Sequence, residues 1–419
     1  MQLLLISIFI LGYLAIAFEH PLKLDKAASA LLTGVLCWVI YFLNASDKDI
    51  VSDELMHHFA DISSILFFLL GAMVVVELID SHDGFSVITS SIRTRSKAKL
   101  LWIISVLTFF MSAFLDNLTT AIVMTSMIGK ILSEREDRLW FAGMIIIAAN
   151  AGGAFSPLGD VTTTMLWIGG QITPLNIIIR LFIPSICVLL VPLLIVTPKF
   201  KGKTFKNEDG GNYNDRNKES GIVLYSGIAL LLLVPVFKLV THLPPFMGML
   251  FSLGILWMIV SFLHSKKPPE ERKKLSVSNA LQQIDSSSIL FFLGILLAVS
   301  ALQSTGLLKT LAQFLDSSLG NFYYVGTALG ILSAIVDNVP LVAAVQGMYD
   351  LNIYPADHPF WEFIALTTGT GGSAIIIGSA AGVAAMGIEK IDFLWYLKKI
   401  SWIALVGFAA GIVAFMIQN

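Results

Sequence analysis

Long apolar segments recur along the whole chain and determine its class. Runs of about 20 apolar residues, the length that crosses a bilayer as a helix, predict an all-α polytopic membrane protein. The uninterrupted spans are predicted at 2–18, 27–43, 62–79 and 176–196 in the first half, and at 221–240, 246–263, 286–302 and 393–416 in the second.

Two further segments in each half carry polar interruptions. Helix pairs at about 100–131 and about 322–349 turn at Asp116-Asn117 and at Asp337-Asn338. Their arms are short for a full crossing, so we predict re-entrant helical hairpins; one long kinked helix, or two full crossings, are the alternatives.

A helix at about 140–170 and another at about 361–388 contain clusters of Gly, Ser and Pro or Thr residues. We predict that both are broken helices. Their glycines have two possible roles, which are unwinding of the backbone and close packing of helices.

The two halves of the chain resemble each other. The segment 63–69 recurs at 287–293, 112–117 (SAFLDN) corresponds to 333–338 (SAIVDN), and the glycine-rich 151–159 corresponds to 370–378. Three matches in the same order, about 220 residues apart, predict a duplication. The first repeat is 1–197, a polar linker follows at 198–220, and the second repeat is 221–419. Five transmembrane spans per repeat, an odd number, require the repeats to be inverted.

Lysine and arginine provide an independent test of this topology. With five spans per repeat, all but four of the 27 basic residues fall on one side; the exceptions are Lys48, Arg180, Lys238 and Lys309. The positive side of a membrane protein faces the cytoplasm. We therefore expect a cytoplasmic linker and both termini outside, with the first hairpin entering from the cytoplasm and the second from outside.

Composition agrees with the membrane class and narrows the function. The chain is 56% hydrophobic and 13% charged, with a mean hydropathy of +0.80, whereas soluble domains carry about 25% charged residues. A net charge of −2 argues against a nucleic-acid partner, so the expected partner is the lipid bilayer. Cys37 and Cys187 lie within apolar spans and indicate no disulfide or resident metal. No nucleophile–base constellation indicates an enzyme, and no cofactor is expected.

Two aspartates stand isolated inside the predicted hairpins. Asp116 and Asp337 each have no other charged residue within about a dozen positions on either side. A carboxylate in the membrane centre costs roughly 2.5–3.5 kcal/mol on insertion scales, and such residues usually line an ion or substrate path. Capping of the second arm is the structural alternative, but Ser or Thr would cap without a buried charge.

The broken helices differ in charge. Asp160 follows the first break, whereas the corresponding stretch 367–379 contains no carboxylate. The candidate site is thus two-fold in its backbone and asymmetric in its charge. The residues predicted to bind cations or protons are Asp116, Asn117, Thr119, Thr120, Asn150, Ser156, Asp160, Thr162, Thr163, Ser333, Asp337, Asn338, Thr370 and Ser373, with Na⁺ at Asp116, Asn117, Asp160, Asp337 and Asn338.

All seven histidines fall in predicted loops or at span ends. We expect them to be solvated there, and a pH-sensing role is the alternative. They are His20, His57, His58, His82, His242, His264 and His358.

At these motifs the chain resembles the NhaD-type Na⁺/H⁺ antiporters of the ion transporter superfamily. The resemblance covers nearly the whole chain and rests on 112–120, 156–164, 333–340 and 369–373. It implies two inverted repeats, each with a re-entrant hairpin and a broken helix, in a homodimer that moves its substrate by an elevator motion in the bacterial inner membrane. Dicarboxylate carriers of this superfamily have Ser-Asn-Thr at the hairpin tips, where this chain has Asp-Asn.

The residues favour cation exchange. Asp116 and Asp337 would repel an anionic substrate and attract a monovalent cation. Burial favours the protonated carboxyl and a bound cation favours the ionised one, so Na⁺ or Li⁺ and H⁺ would compete for the same groups. The alternative is a Na⁺-coupled carrier of carboxylates or of oxyanions such as arsenite on the same fold.

Overall fold

The computed structural model describes residues 1–17, 19–89, 94–205 and 218–419. Its regular elements in these ranges are helices, apart from one antiparallel bridge between Ser96 and Thr204. The helices of the first half are α1 (Gln2–Ala17), α2 (Glu19–Leu22), α3 (Lys26–Asn44), α4 (Lys48–Ser81), α5 (Gly84–Thr89), α6 (Lys97–Ser112), α7 (Asn117–Ile131), α8 (Arg135–Ala154), α9 (Val161–Ile168) and α10 (Pro174–Phe200).

The second half follows the same order with additional short helices. Its helices are α11 (Lys218–Thr241), α12 (Pro245–Leu263), α13 (Pro269–Lys274), α14 (Val277–Gln283), α15 (Ser286–Ser304), α16 (Leu307–Leu319), α17 (Phe322–Leu332), α18 (Asn338–Met348), α19 (Pro359–Gly371), α20 (Ala380–Glu389), α21 (Phe393–Lys399) and α22 (Ser401–Gln418), with a 3₁₀ turn at Ile376–Gly378 between α19 and α20.

Seven described helices are long and apolar enough to cross a membrane. They are α3, α4, α10, α11, α12, α15 and α22. The 16-residue α1 is also apolar along its length. The chain is therefore an integral, polytopic membrane protein.

The structure departs from the predicted segments at several places. The predicted span 393–416 is divided at Ile400 into α21 and α22. Helix α4 begins at Lys48, well before the predicted span 62–79. Its N-terminal turns are polar, so a prediction based on apolar runs does not include them. Helix α16 was not predicted; it has one apolar stripe rather than an apolar run. The predicted linker 198–220 is shortened at both ends by α10 and α11, and residues 206–217 lie outside the described part of the chain.

The glycines near the first break pack helices together rather than unwind them. Gly152 and Gly153 are still helical in α8, and the non-helical stretch is 155–160. A Cβ at Gly152 would lie 2.1 Å from the Phe109 carbonyl oxygen of α6. In the second half, a Cβ at Gly371 would lie 2.0 Å from the Gly330 carbonyl oxygen of α17. Each broken helix therefore approaches a hairpin arm at a position where only glycine fits.

The same side-chain contact also occurs once in each half. Ser112, at the end of α6, donates from Oγ to the Ala149 carbonyl at 2.6 Å. Ser333, just after α17, donates from Oγ to the Thr368 carbonyl at 2.7 Å. Both serines thus fix the end of a first hairpin arm against the helix that is about to break.

The helices pack in two bundles. In the first bundle, α3 packs on α1 and α15, and α4 packs on α11, α12 and α15. In the second bundle, α8 packs on α6, α7, α10 and α19, while α17 packs on α19 and α10 on α22. The bundles meet where α15 contacts α18 and where α4 contacts α9. Both helix breaks lie in the second bundle.

Two of the histidines expected to be solvated are buried. His82 at the end of α4 is 6% exposed and His264 at the end of α12 is 2% exposed. Each follows the last turn of an apolar helix, so the sequence placed them at span ends correctly. Their burial arises because these two helix ends pack against each other, which no local pattern reveals.

Candidate cation site

Asp160 lies at the centre of the polar site, directly after the first helix break. It is 1% exposed and caps α9, accepting from the Thr162 backbone N–H at 3.0 Å. The carbonyl groups freed by the break are bound by hydroxyl groups of the following turn. Thr163 donates to the Ser156 carbonyl at 2.7 Å, and Thr164 donates to the Pro157 carbonyl at 2.8 Å. The break is therefore held in one conformation by hydrogen bonds, and in this conformation the Asp160 carboxylate points into the second bundle.

Both halves of the chain donate to this carboxylate. Asn117, the first residue of α7, donates from Nδ2 to Asp160 Oδ2 at 3.2 Å. Asn338, the first residue of α18, donates from Nδ2 to the same oxygen at 3.0 Å. The two Asp-Asn motifs thus converge on Asp160 through their asparagines.

Asn150 extends the network to the second break. Its Oδ1 accepts from Asn117 Nδ2 at 3.1 Å, and its Nδ2 donates to Ser373 Oγ at 2.9 Å and to Ser379 Oγ at 3.0 Å. The backbone of Ser373 is held in turn by the Tyr396 hydroxyl at 2.8 Å. Asn150 therefore links α7 and α8 to the second break.

Asp116 and Asp337 lie beside the centre rather than in it. Both are half-buried caps: Asp116 accepts from the Thr119 backbone N–H and hydroxyl at 2.9 and 2.7 Å, and Asp337 accepts from the Val339 N–H at 3.1 Å. Capping is therefore a real role of both residues. Both carboxylates also interact electrostatically with that of Asp160, so three carboxylates lie close together.

The other predicted residues divide by what their hydroxyl groups bind. Those of Ser156, Ser333, Thr163 and Thr370 donate to backbone carbonyls, which indicates a structural role in the present arrangement. By contrast, the hydroxyl oxygens of Thr120 and Thr162 are buried without a hydrogen-bond partner. These two are the hydroxyl groups that remain available to a ligand.

The buried polar residues outside the predicted set include Ser379 and Glu362. Ser379 occupies the repeat position of Asp160, and both cap the helix after a break with nearly the same backbone angles, φ −145° and ψ 145–150°. The repeat spacing was the signal that could have found it. Glu362 in the first turn of α19 is fully buried; Asn176 donates to its Oε1, and its Oε2 has no partner. Its signal was the presence of a carboxylate in an otherwise apolar helix.

The charge around Asp160 suits a cation. Among the described residues, no lysine, arginine or histidine forms an ion pair with Asp160. Lys26, at the start of α3, lies within electrostatic range of Asp337. Carboxylate, amide and hydroxyl oxygens are hard ligands of the kind that binds small cations. An anion placed here would face Asp116, Asp160 and Asp337 together.

Known proteins are similar to this chain over nearly its full length. A family model described as citrate transporter matches residues 13–369. Sodium/proton antiporter 1 of Arabidopsis thaliana is 47% identical over 411 residues, which cover 98% of this chain and 71% of the relative. Sodium/proton antiporter 2 of the same plant is 44% identical over 98% of each chain. The Na⁺/H⁺ antiporter NhaD of Vibrio cholerae is 30% identical over 98% of this chain and 91% of the relative. The chain therefore belongs to the citrate transporter family, and within it to the group that contains the NhaD-type antiporters.

Proposed function

We propose that this protein exchanges Na⁺ or Li⁺ for H⁺ across the membrane, with Asp160 as the central binding group. The observation that carries the proposal is the convergence of Asn117 and Asn338 on a buried carboxylate that has no basic partner among the described residues. Relatives over the full length of the chain are named sodium/proton antiporters, which supports the same activity.

Burial makes the two cations competitors. A carboxylate removed from water is stabilised by binding either a proton or a metal cation, and one bound species disfavours the other. The asparagines now donate N–H groups to Asp160, which partly replaces a cation. Rotation of either side-chain amide by about 180° would place its oxygen where its nitrogen now lies. Asn117 and Asn338 can therefore contact Asp160 both in its protonated and in its Na⁺-bound state.

We propose that Asp116 and Asp337 assist from the hairpin tips. Their charges would draw Na⁺ towards Asp160 and raise its local concentration. Thr120 and Thr162 would add hydroxyl oxygens, because theirs are the buried hydroxyl groups of the predicted set without a partner.

The architecture proposed for this mechanism is a pair of inverted repeats. His58, in the first half of α4, lies 3.0 Å from Ser304 at the end of α15. This contact supports opposite directions for the corresponding third spans, which an inverted duplication requires. We propose that the second bundle moves against the first as an elevator within a homodimer, because the site residues lie on the second bundle.

The orientation is also a proposal. The excess of lysine and arginine on one side supports a cytoplasmic linker and termini outside. The membrane that we propose is a bacterial inner membrane. Na⁺ would leave the cell and H⁺ would enter.

A carboxylate or oxyanion carrier is the rival, and the family description names citrate. The site disfavours it, because a trivalent anion would need several basic donors in a region that holds three aspartates.

Everted membrane vesicles test the proposal. Addition of Na⁺ should release protons from acidified vesicles that contain the wild-type protein, and Asp160→Asn should abolish the signal at every Na⁺ concentration. Asp285→Asn, which alters only the cap of α15, is the matched control. Retained exchange in Asp160→Asn would overturn the assignment of Asp160, and uptake of labelled citrate, succinate or arsenite without Na⁺/H⁺ exchange would favour the rival.

A further inference from the structure

Two buried histidines meet at one end of the first bundle, outside the candidate cation site. Nε2 of His82, which follows α4, lies 2.7 Å from Nε2 of His264, which follows α12. The ring planes are inclined by 30° and the centroids lie 5.0 Å apart, so the rings meet through their nitrogen edges. This end of the bundle leads into the basic segment that contains Lys266 and Lys267.

The hydrogen bonds assign the protons of the neutral pair. His82 Nδ1 lies 2.6 Å from the Leu78 carbonyl, which can only accept, so His82 carries its proton on Nδ1. Its Nε2 must then accept, and His264 must donate from Nε2. His264 Nδ1 is left as a buried lone pair without a partner.

One further proton has no favourable position in this structure. On His82 Nε2 it would face the N–H of His264 at 2.7 Å, unless His264 carries its own proton on Nδ1 instead. In either case the pair becomes a buried cation, and the N–H at His264 Nδ1 has no acceptor. The contact between the two rings is therefore favoured while both are neutral, is destabilised by one further proton, and is lost when both rings are charged.

The distance also distinguishes a shared proton from a shared metal. Two imidazole nitrogens bound to one tetrahedral Zn²⁺ at about 2.0–2.1 Å lie about 3.3–3.4 Å apart. The observed 2.7 Å is a hydrogen-bond distance.

The charged residues nearby do not offset the cost of a further proton on this histidine pair. Burial lowers the pKa of both histidines, and Lys267 lowers it further. Glu219 of α11 opposes this effect at both rings and Glu271 of α13 opposes it at His264, but both glutamates also form ion pairs with Lys267. Helices α5, α12, α14 and α15 carry no titratable residue, and on α4 the nearby carboxylates are those of Glu77 and Asp80.

The sign of the pH effect follows directly. A histidine whose pKa is lowered in the folded protein favours the folded contact when neutral. The contact is therefore complete above the usual histidine pKa of about 6.5 and is lost as the pH falls towards the lowered value.

Helix α4 connects this contact to the second bundle. It packs on α12 and also touches α9, and its end leads through α5 towards α6. Asp80, two residues before His82, interacts electrostatically with Lys130 at the end of α7. A displacement of the end of α4 would therefore act on the first hairpin near Lys130, and on the helix after the break through the body of α4, where Phe68 contacts Trp167.

We propose that His82 and His264 form a second proton-binding site, separate from the cation site, whose protonation separates the ends of α4 and α12 and slows transport at acid pH. The ligand is a proton taken from the side that carries the basic residues. This proposal rests on the proposed exchange activity.

Substitution of His264 by glutamine gives a result that misfolding would not produce. A glutamine amide can donate to neutral His82 Nε2 and, after a half-turn, accept from it when it is protonated. His264→Gln should therefore keep the helix ends together at acid pH, whereas His264→Ala should leave them apart at every pH. His57→Gln is the matched control, because His57 lies far from this contact in the chain, forms its ion pair with Asp61, and both of these side chains are exposed.

The transport assay uses purified protein in liposomes at saturating Na⁺, so that competition at Asp160 is overcome. Wild-type exchange should still fall at acid pH on the basic side. In His264→Gln this fall should move by about one pH unit towards acid, and in His264→Ala the rate should be low throughout. Superimposable profiles of wild type and His264→Gln would overturn the proposal, and so would a profile of His57→Gln that shifts equally.

A second readout is independent of transport. Nitrogen NMR of histidine-labelled protein at neutral pH should show His82 protonated at Nδ1 and His264 at Nε2. The opposite tautomers, or two charged rings, would refute the paired site even if exchange is intact. An absence of exchange in the wild type at every pH would instead refute the proposed function and leave this readout unaffected.

Discussion

Asn338 of the second half donates to Asp160 of the first half at 3.0 Å, although 178 positions separate them in the chain. Asn117 donates to the same oxygen from the first half at 3.2 Å. One carboxylate is therefore shared by the ends of two helices, α7 and α18, that occupy the same position in the two halves. Movement of either helix would change the coordination of Asp160.

Removal of either asparagine should weaken Na⁺ binding. A hydrogen bond to a charged group contributes about 1.5–3 kcal/mol, so Asn117→Ala and Asn338→Ala should each raise the apparent KM for Na⁺ at least about tenfold. Vesicle exchange at graded Na⁺ measures this effect. Asn44→Ala is the control, because Asn44 bonds only to the Ile40 carbonyl of its own helix. Equal KM values for the site variants and the wild type would show that these amides do not contact the ion.

The two roles of Asp116 can be separated. Asparagine caps a helix about as well as aspartate, whereas alanine loses about 1 kcal/mol. Asp116→Asn should keep the thermal stability of the wild type and lose most exchange, while Asp116→Ala should lose both. Unfolding midpoints in detergent and vesicle exchange check the two outcomes. Full exchange in Asp116→Asn would leave Asp116 only its capping role.

Gly152 should tolerate no side chain. Its Cβ would lie 2.1 Å from a backbone oxygen of α6, which cannot move without displacing the hairpin. We expect Gly152→Ala to reduce the yield of folded protein, measured by size-exclusion chromatography. Gly254→Ala is the matched control: a Cβ there has open space within α12, and alanine favours a helix by about 1 kcal/mol. A Gly152→Ala protein with wild-type yield would contradict the close approach of α8 to α6.

Lys97 and Asp137 should stabilise the protein only when both are present. Lys97 at the start of α6 lies 2.5 Å from Asp137 at the start of α8, and both side chains are 6% exposed. Removal of one partner leaves an uncompensated buried charge, so Lys97→Met should cost about 3–5 kcal/mol. The double variant with Asp137→Leu should recover most of the unfolding midpoint. Lys99→Met, at an exposed position, controls for loss of a lysine; no recovery in the double variant would argue for a different cause.

Much of the membrane architecture was predictable from local sequence. The cost of placing polar groups in lipid acts on each segment separately, so apolar runs indicate where helices cross the membrane. The interruptions of the helices near Asp116, Asp160 and Asp337 were also predictable, since Gly, Pro and isolated Asp-Asn pairs are local signals; the re-entrant form of the hairpins stays a prediction. The N-terminal extension of α4 and the stripe of α16 were not, because those helices are stabilised by packing rather than by an apolar run.

The candidate residues could be named from the sequence, and their arrangement could not. Asp116, Asp160 and Asp337 stand out as isolated charges, and only the first break carries a carboxylate. The sequence provides no reason to rank these three aspartates, whereas the structure puts Asp160 between the two asparagines and the other two beside it. Only the packing of α7 and α18 against the break at 155–160 decides which group of each Asp-Asn pair turns inwards.

What the sequence by itself determined is a membrane-embedded chain with acidic groups in its interrupted segments, because hydropathy is a property of the order of residues; the motifs that recur in its two halves predict a duplication. What the tertiary structure alone decided is which groups meet: Asn338 with Asp160, Asn150 with Ser379, and His82 with His264. Each of these contacts joins residues that are distant in the chain. Their partners are selected by the docking of helices, and no local pattern encodes that choice.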